Sequence, residues 1–138
     1  MQQVPESQQI GQHSIAYEAD TGFFLVRQVG VLDEHDANGI LATFDALNPQ
    51  GTAPFVLCET SQAASITPKA RKVFQRARQT SGPSAFVALY GGTRLFRATA
   101  ILLLTALKLV GLGVEATMES DEGAARTWLA RKREARGG

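Results

Sequence analysis

The N-terminal part of the chain alternates apolar and polar residues and predicts a β-hairpin. Ile15 and Tyr17 are the apolar members of an alternating segment over residues 14–19, and a run rich in Phe, Leu and Val covers residues 23–31. Gly22 lies between the two segments, where glycine supplies the positive φ of a tight reversal. The pattern therefore predicts two antiparallel strands joined by a short turn.

After the hairpin, segments with helical spacing follow one another at regular intervals. Asp33, Thr67 and Ser120 each precede such a segment, and all three offer the side-chain oxygen that N-cap positions prefer. A further helix is expected over residues 94–110, after a glycine turn. The first helix carries its apolar residues on one stripe, made of Ala37, Ile40, Leu41, Phe44 and Leu47.

Short apolar runs alternate with these helices. The runs over residues 55–58, 85–90 and 114–118 have the length and composition of buried strands. The predicted order is β-β-α-β-α-β-α-β-α, and strands that alternate with helices pair in parallel through right-handed crossovers. We expect an α/β fold with a mixed, mainly parallel sheet of about five strands and four main helices.

The length of 138 residues suits one domain. We expect a flexible N-terminal tail over residues 1–12, a single domain over 13–132 and a basic C-terminal tail over 133–138. The Gln-rich start lacks the apolar core of a secretory signal, and Cys58 is the one cysteine. A cytoplasmic location is the natural interpretation, with Cys58 as a small core residue rather than a reactive thiol.

Charge is unevenly distributed along the chain. Residues 1–66 contain eight acids and one base, whereas residues 67–138 contain thirteen bases and five acids. Such a division creates either a dipolar surface suited to steering and head-to-tail self-association, or simply solvated helix faces. The bases are not interleaved with aromatic residues, so nucleic-acid binding is not expected.

The sequence lacks the usual patterns of catalysis. His13 and His35 have no partner at metal-ligand spacing, and both are expected to be exposed. No Gly-x-Ser-x-Gly elbow, phosphate-binding loop or dinucleotide fingerprint is present. We therefore assign no catalytic residue, metal or cofactor, and we expect that the chain is not an enzyme.

Hydroxyl side chains gather in the expected loop over residues 59–67. Thr60, Ser61, Ser65 and Thr67 all lie in this stretch before the second helix. Phosphorylation there would add up to about two negative charges beside the bases of that helix. The alternative is a polar loop that ends in an N-cap.

A second junction combines glycines and arginines. Gly91 and Gly92 follow a predicted strand, and Arg94 and Arg97 follow them at the start of the next helix. Exposed amides and guanidinium groups there could hold an anion. The alternative is a glycine turn with a Thr cap.

The expected third helix is apolar on every side over residues 98–107. It is too short to cross a membrane, which needs about 20 residues, so no span is predicted. A helix that is apolar all round must be covered on both faces. Its second face meets a neighbouring helix, a lipid or apolar ligand, or a second subunit in a homodimer through Leu102, Leu103 and Leu107.

Three stretches carry a resemblance to a known family. They cover residues 65–74, the strand over 85–90 with the arginines that follow it, and the close of the chain over 119–129, where an acidic turn precedes Ala and Trp-Leu. Together with the element order, they resemble the STAS fold (sulfate transporter and anti-sigma factor antagonist) over residues 14–132, in particular the SpoIIAA-like group.

The resemblance implies a non-catalytic regulatory domain that binds another protein or a small ligand. Anti-sigma antagonists of this family carry a phosphorylatable serine in an Asp-Ser-Ser/Thr-Gly sequence between the third strand and the second helix. The matching residues here are Glu59, Thr60, Ser61 and Gln62, without the glycine. The expected function is a protein-interaction module controlled by phosphorylation in this loop, and the alternative is a binder of an apolar ligand or lipid through the third helix.

Overall fold

The chain folds into a six-stranded mixed sheet with helices on both faces. The computed structural model describes residues 7–47, 54–79, 85–94, 96–98 and 115–135. The strands are β1 (Ser7–Ile10), β2 (His13–Glu18), β3 (Phe23–Leu32), β4 (Phe55–Ile66), β5 (Phe86–Tyr90) and β6 (Glu115–Glu119). The helices are α1 (Glu34–Leu47), α2 (Pro68–Gln79) and α3 (Glu122–Ala135). Residues 94 and 96–98 are also helical, and the rest of the predicted third helix lies outside the described residues.

The spatial order of the strands equals their order along the chain. β1, β2 and β3 pair in antiparallel fashion, whereas β3, β4, β5 and β6 pair in parallel. Each parallel pair needs a crossover connection, and α1 and α2 provide two of these crossovers. The predicted α/β class, with a mixed and mainly parallel sheet, is confirmed.

The sheet has one strand more than predicted, because β1 lies inside the stretch 1–12 that was expected to be a tail. β1 pairs with β2 through Gln8 opposite Ile15 and Ile10 opposite His13. Its first three residues are exposed, and Ile10 packs against the core. A polar strand at a sheet edge lacks the apolar alternation that would have revealed it.

Each face of the sheet has its own hydrophobic core. α1 and α2 cover one face, and α3 covers the other, mainly over β4 and β5. The first core contains Ile15, Phe24, Val26, Leu32, Ala37, Ile40, Val56, Cys58, Ala70, Val73 and Leu89. The second contains Phe23, Leu57, Phe86, Ala88, Ala125 and Leu129.

β4 is much longer than the predicted strand over residues 55–58, so the expected loop over 59–67 is wrong. β4 continues to Ile66 because β3 also extends, with Gln62 opposite Val29 and Ser65 opposite Val31. Register shifts interrupt this pairing on both sides of Gly30. Thr60, Ser61 and Ser65 therefore lie on a strand beside β3.

The predicted caps of α1 and α2 are confirmed. The Asp33 carboxylate accepts a hydrogen bond from the backbone N–H of Asp36 (2.9 Å), and the Thr67 hydroxyl accepts one from Ala70 (3.1 Å). These bonds satisfy amide groups that have no partner inside the first helical turn.

The last helix differs from the prediction at both ends. Asp121, not Ser120, caps α3, because its carboxylate accepts a hydrogen bond from the Ala124 N–H at 2.8 Å. α3 also continues to Ala135, into the stretch expected as a basic tail, and the Arg133 guanidinium donates a hydrogen bond to the Thr21 carbonyl. Basic residues at a helix C-terminus are favoured by the helix dipole, which supports this extension.

Candidate functional site

A row of polar residues crosses the four parallel strands on the face that α3 covers, at the level where β5 and β6 end. Arg27 of β3 lies beside Glu59 of β4, Glu59 beside Tyr90 of β5, and Tyr90 beside Glu119 of β6. The Arg27 Nε lies 3.3 Å from the Glu59 Oε2, so these two side chains form an ion pair. Open α/β sheets bind their ligands beyond the carboxyl ends of the strands, and this row, the carboxyl-edge row, lies at the carboxyl ends of β5 and β6, whereas β3 and β4 continue past it.

The sequence analysis did not identify this row. Arg27 and Glu59 are the first charged residues after runs of apolar strand residues, and Tyr90 ends the next run. A search for the polar residue that ends each apolar run would have found these residues. Their alignment depends on the strand register, which the sequence alone does not show.

Tyr90 links the carboxyl-edge row to α3. Its hydroxyl donates a hydrogen bond to the Glu122 Oε1 at 3.4 Å. Burial raises the pKa of Tyr90 to about 12, and the nearby carboxylates of Glu122 and Glu59 contribute to the rise. The phenol therefore stays protonated at neutral pH and acts as a hydrogen-bond donor.

The two hydroxyl residues at the centre of the expected phosphorylation site lie in opposite environments. Thr60 is completely buried, and its hydroxyl donates a hydrogen bond to the Tyr90 carbonyl at 2.8 Å. Ser61 is exposed, and its backbone N–H donates to the Glu59 Oε1 at 2.6 Å. Of this pair, only Ser61 presents a side chain to solvent.

The glycine turn after β5 passes directly beside these residues. Gly91 has φ of 83°, and a Cβ added there would lie 3.7 Å from the Ser61 Cβ. A Cβ added at Gly92 would lie 2.9 Å from the Phe96 ring and 3.0 Å from the Thr60 hydroxyl. Glycine is therefore required at position 91 by the positive φ and at position 92 by close packing.

A helix begins at Arg94, immediately after this turn, as the sequence predicted. The Thr93 hydroxyl caps it by accepting a hydrogen bond from the Phe96 N–H (3.2 Å). Arg94 is exposed, and Arg97 is half-buried, with its Cγ 3.4 Å from the Cβ position of Gly92. The turn therefore places the start of the helix that carries Arg94 and Arg97 close to Ser61.

The other two predicted hydroxyl residues lie further along β4 or in a cap. Ser65 is exposed, and its carbonyl accepts a hydrogen bond from the Gln28 Nε2 at 3.2 Å. It stands four residues after Ser61, which is about 13 Å along an extended strand. Thr67 is half-buried and uses its hydroxyl to cap α2.

His13 is buried, so the expectation that both histidines are exposed is wrong for this residue and confirmed for His35. The His13 Nδ1 accepts a hydrogen bond from the Val29 N–H (3.0 Å), so Nε2 carries the proton and donates to the Asp36 carboxylate (3.1 Å). Asp36 also accepts from the Asp33 N–H at 3.2 Å. Both ring nitrogens are occupied, so this His–Asp pair fastens β2, β3 and α1 together.

Cys58 is a core residue, as the sequence predicted. Its side chain is buried in the core beneath α1 and α2. Burial raises the pKa of the thiol to about 12, with a smaller contribution from the Glu59 carboxylate. The thiol therefore stays protonated at neutral pH, which makes it a poor nucleophile.

Neither a metal-ligand cluster nor a membrane-spanning helix is found among the described residues. Among them, no three His, Cys, Asp or Glu side chains gather in a way that could hold a metal ion. No helix in the described ranges is long and apolar enough to cross a membrane. Leu102, Leu103 and Leu107 lie outside the described residues, so the homodimer and apolar-ligand hypotheses built on them stay predictions.

Comparisons with known proteins identify the fold. No family model matches the chain, and no curated protein matches it. The chain is similar to a crystal structure of an uncharacterised protein of the DUF3478 family, with a SpoIIAA-like fold, from Shewanella loihica PV-4. The two share 14% sequence identity with a TM-score of 0.59, over 94% of this chain and 98% of that one.

A second solved structure is the anti-sigma factor antagonist SpoIIAA in its unphosphorylated form. It shares 14% identity over 98% of this chain and 100% of that chain, with a TM-score of 0.46. The similarity to the Shewanella loihica protein shows that the chain has a SpoIIAA-like fold, and the STAS-like fold expected from the sequence is confirmed.

Proposed function

We propose that this SpoIIAA-like chain is a regulatory protein-interaction module whose partner docks beside the carboxyl end of β5, around Ser61 of β4. The observation that carries the proposal is the exposed Ser61 side chain, held beside the Gly91 turn by the bond between its own N–H and Glu59. Such a fixed position loses little conformational entropy when a partner binds. The cytoplasmic location expected from the sequence belongs to the same proposal.

The charges around Ser61 favour control by phosphorylation. A phosphoserine carries about two negative charges at neutral pH. At Ser61 it would stand next to Glu59, whose carboxylate accepts from the Ser61 N–H and pairs with Arg27. The added charge would repel Glu59 and compete for Arg27, so the partner would meet a surface of different charge and shape.

Thr60 is excluded from this regulatory role in the proposal. Thr60 is completely buried and its hydroxyl is already bonded to the Tyr90 carbonyl, so a kinase would have to separate β4 from the end of β5 to reach it. The proposed switch therefore consists of Ser61 alone, and Thr60 serves to hold β4 against β5.

Affinity capture from the native host tests this function. Wild-type chain, Ser61→Glu and Ser65→Glu are immobilised in parallel, and co-purifying proteins are quantified by mass spectrometry. Ser65 is the matched control, since it is another exposed serine of β4. We expect one protein to be captured by wild type and by Ser65→Glu and to be reduced at least about tenfold with Ser61→Glu, the effect of about 1.4 kcal/mol of binding free energy.

The proposal fails if every protein is captured equally by all three chains. Equal loss with both glutamate variants would also count against it, because it would indicate a general effect of charge on β4. Thermal unfolding of each variant confirms that the immobilised chains are folded.

A further inference from the structure

Two neighbouring helices on one face of the sheet carry exposed charges of opposite sign. α1 exposes Glu34 and Asp45, and α2 exposes Lys69, Lys72 and Arg76. Asp45 lies eleven positions after Glu34, which is about three helical turns, so both lie on one side of α1. The three bases fall within two turns on one side of α2. We name these sets the α1 acidic face and the α2 basic face.

None of these five side chains forms an ion pair with another described residue. The ion pairs of the described chain join other residues: His13 to Asp36, Arg27 to Glu59, Arg126 to Glu18 and Glu122, and Lys132 to Glu115. In addition, α2 has no acid in its first turn and α1 has no base in its last turn. The two faces are therefore unneutralised next to each other in the single chain.

The fold fixes the relative direction of the two helices. α1 connects the parallel strands β3 and β4, and α2 connects the parallel strands β4 and β5, so both helices run opposite to the strands and parallel to each other. Both pack on the same side of the sheet and contact each other. They form one layer with an acidic half and a basic half.

We propose that this layer is a homodimer interface, covered by a second copy of the chain that is related by a two-fold axis lying in the interface, parallel to the two helices and between them. The rotation places α1 of each copy parallel to α2 of the other and directly over it. Glu34, at the start of α1, then meets Lys69 and Lys72 near the start of the partner's α2, while Asp45 meets Arg76. Each copy supplies both faces, so every contact occurs twice and the assembly closes as a dimer.

A second copy fits better than an unrelated acidic partner because the layer is complementary to itself. An acidic partner would satisfy the α2 basic face but would be repelled by the adjacent α1 acidic face. Between its two acids α1 exposes only Asn38 and Ala42 on this side, both small enough for close approach of a partner helix. The proposed dimer differs from one built on Leu102, Leu103 and Leu107 and does not depend on the proposed role of Ser61.

Sedimentation velocity with charge-reversed variants tests the dimer. Wild type is compared with the acidic-face variant Glu34→Lys/Asp45→Lys and the basic-face variant Lys69→Glu/Lys72→Glu/Arg76→Glu. We expect wild type to dimerise in about 0.01 M NaCl and to dissociate in about 1 M NaCl, where the Debye length falls from about 30 Å to about 3 Å. Each variant alone should show a dimer dissociation constant at least about tenfold higher than wild type.

The decisive sample is the equimolar mixture of the two variants. In a mixed dimer the basic α1 of one variant meets the acidic α2 of the other, and the two unaltered helices meet as in wild type. We therefore expect the mixture to dimerise at least as well as wild type. Circular dichroism checks the fold, and if a multiple variant is unfolded, the single pair Glu34→Lys and Lys69→Glu replaces it.

Three results would overturn the proposal. The first is a wild-type chain that is monomeric at low salt, and the second is a pair of variants that dimerise as wild type does. The third is a monomeric chain that co-sediments with vesicles of phosphatidylserine and phosphatidylcholine, which would assign the α2 basic face to a membrane surface.

Discussion

Neighbouring residues of the same chemical type have opposite roles in this molecule. Thr60 and Ser61 are adjacent hydroxyl residues, yet one is buried and bonded to β5 while the other faces solvent beside the glycine turn. His13 and His35 differ in the same way, since only His13 is bonded on both ring nitrogens. Residue type suggests candidate chemistry, and burial and bonding decide which candidate is open to a partner.

Replacing Thr60 by valine should destabilise the fold, whereas replacing Ser61 by alanine should not. Valine keeps the shape of threonine but removes the buried hydroxyl that donates to the Tyr90 carbonyl at 2.8 Å. We expect a loss of about 1–2 kcal/mol in the free energy of unfolding. Ser61→Ala should change it by less than about 0.5 kcal/mol. Urea denaturation measures both, and equal effects would contradict the separation of roles.

Replacing His13 by alanine should be one of the more damaging single changes. It leaves the Asp36 carboxylate and the Val29 N–H without their buried partner and removes the link between β2, β3 and α1. We expect a loss of about 2–4 kcal/mol in unfolding free energy. His35→Ala, in the exposed first turn of α1, is the matched control and should change it by less than about 0.5 kcal/mol. A tolerated His13→Ala would show that the buried pair does not fasten these elements.

At the scale of secondary-structure elements, the sequence predicted types and order better than lengths. The apolar runs predicted the positions of β3, β4 and β5. The capping residues Asp33 and Thr67 predicted the starts of α1 and α2. The sequence did not predict the extension of β4 to Ile66, because polar and apolar residues do not alternate regularly after Glu59. Pairing with β3 orders this part of the strand. Likewise, β1 has little apolar content and exists through its pairing with β2.

An ion pair joins two elements that lie far apart along the chain. Arg126 of α3 donates to both carboxylate oxygens of Glu18 at the end of β2, at 2.7 and 3.1 Å, and also pairs with Glu122 at 2.8 Å. The hydrogen bond from Arg126 lowers the pKa of Glu18 below the ordinary value of 4.5, against the opposing effect of burial. The pair anchors α3 to the β2–β3 hairpin and so fixes the end of α3 that meets Tyr90.

The contribution of Glu18 to stability should depend on pH. Because its pKa is lowered in the folded state, the stabilisation is present above pH 4.5 and is lost as the pH falls through the folded-state pKa. We expect Glu18→Gln to lower the unfolding free energy by about 1 kcal/mol at pH 7, a modest value because both side chains are partly exposed. Urea denaturation at several pH values should show this difference shrinking below pH 4.5.

The control for this measurement is Glu122→Gln. Glu122 pairs with the same arginine, but it is exposed and lies on the same helix, so its loss should cost less than about 0.5 kcal/mol. A Glu18→Gln variant whose deficit is the same at every pH would contradict the account of the pair.

At the scale of the whole molecule, the alternation of strands and helices predicted an α/β fold, and the resemblance of three stretches to the STAS family was needed to predict the STAS-like fold. Neither was sufficient to predict the carboxyl-edge row, because Arg27, Glu59, Tyr90 and Glu119 come together only through the register of four strands. The glycine turn after β5 did fall beside Ser61, because β4 and β5 pair in parallel with Glu59 opposite Tyr90. The structure then distinguished between the residues of the predicted junctions, with Thr60 and Thr67 used for structural bonds and Ser61 and Arg94 left exposed.

The most direct test of the central claim, that a partner docks around Ser61, is site-specific photo-crosslinking in the native host. A photoreactive amino acid is placed at Ser61, and in a second chain at Thr127, an exposed position of α3. We predict that irradiation joins the chain to another protein from position 61 and forms no such adduct from position 127. An adduct that forms from position 127 and not from position 61 would contradict the account.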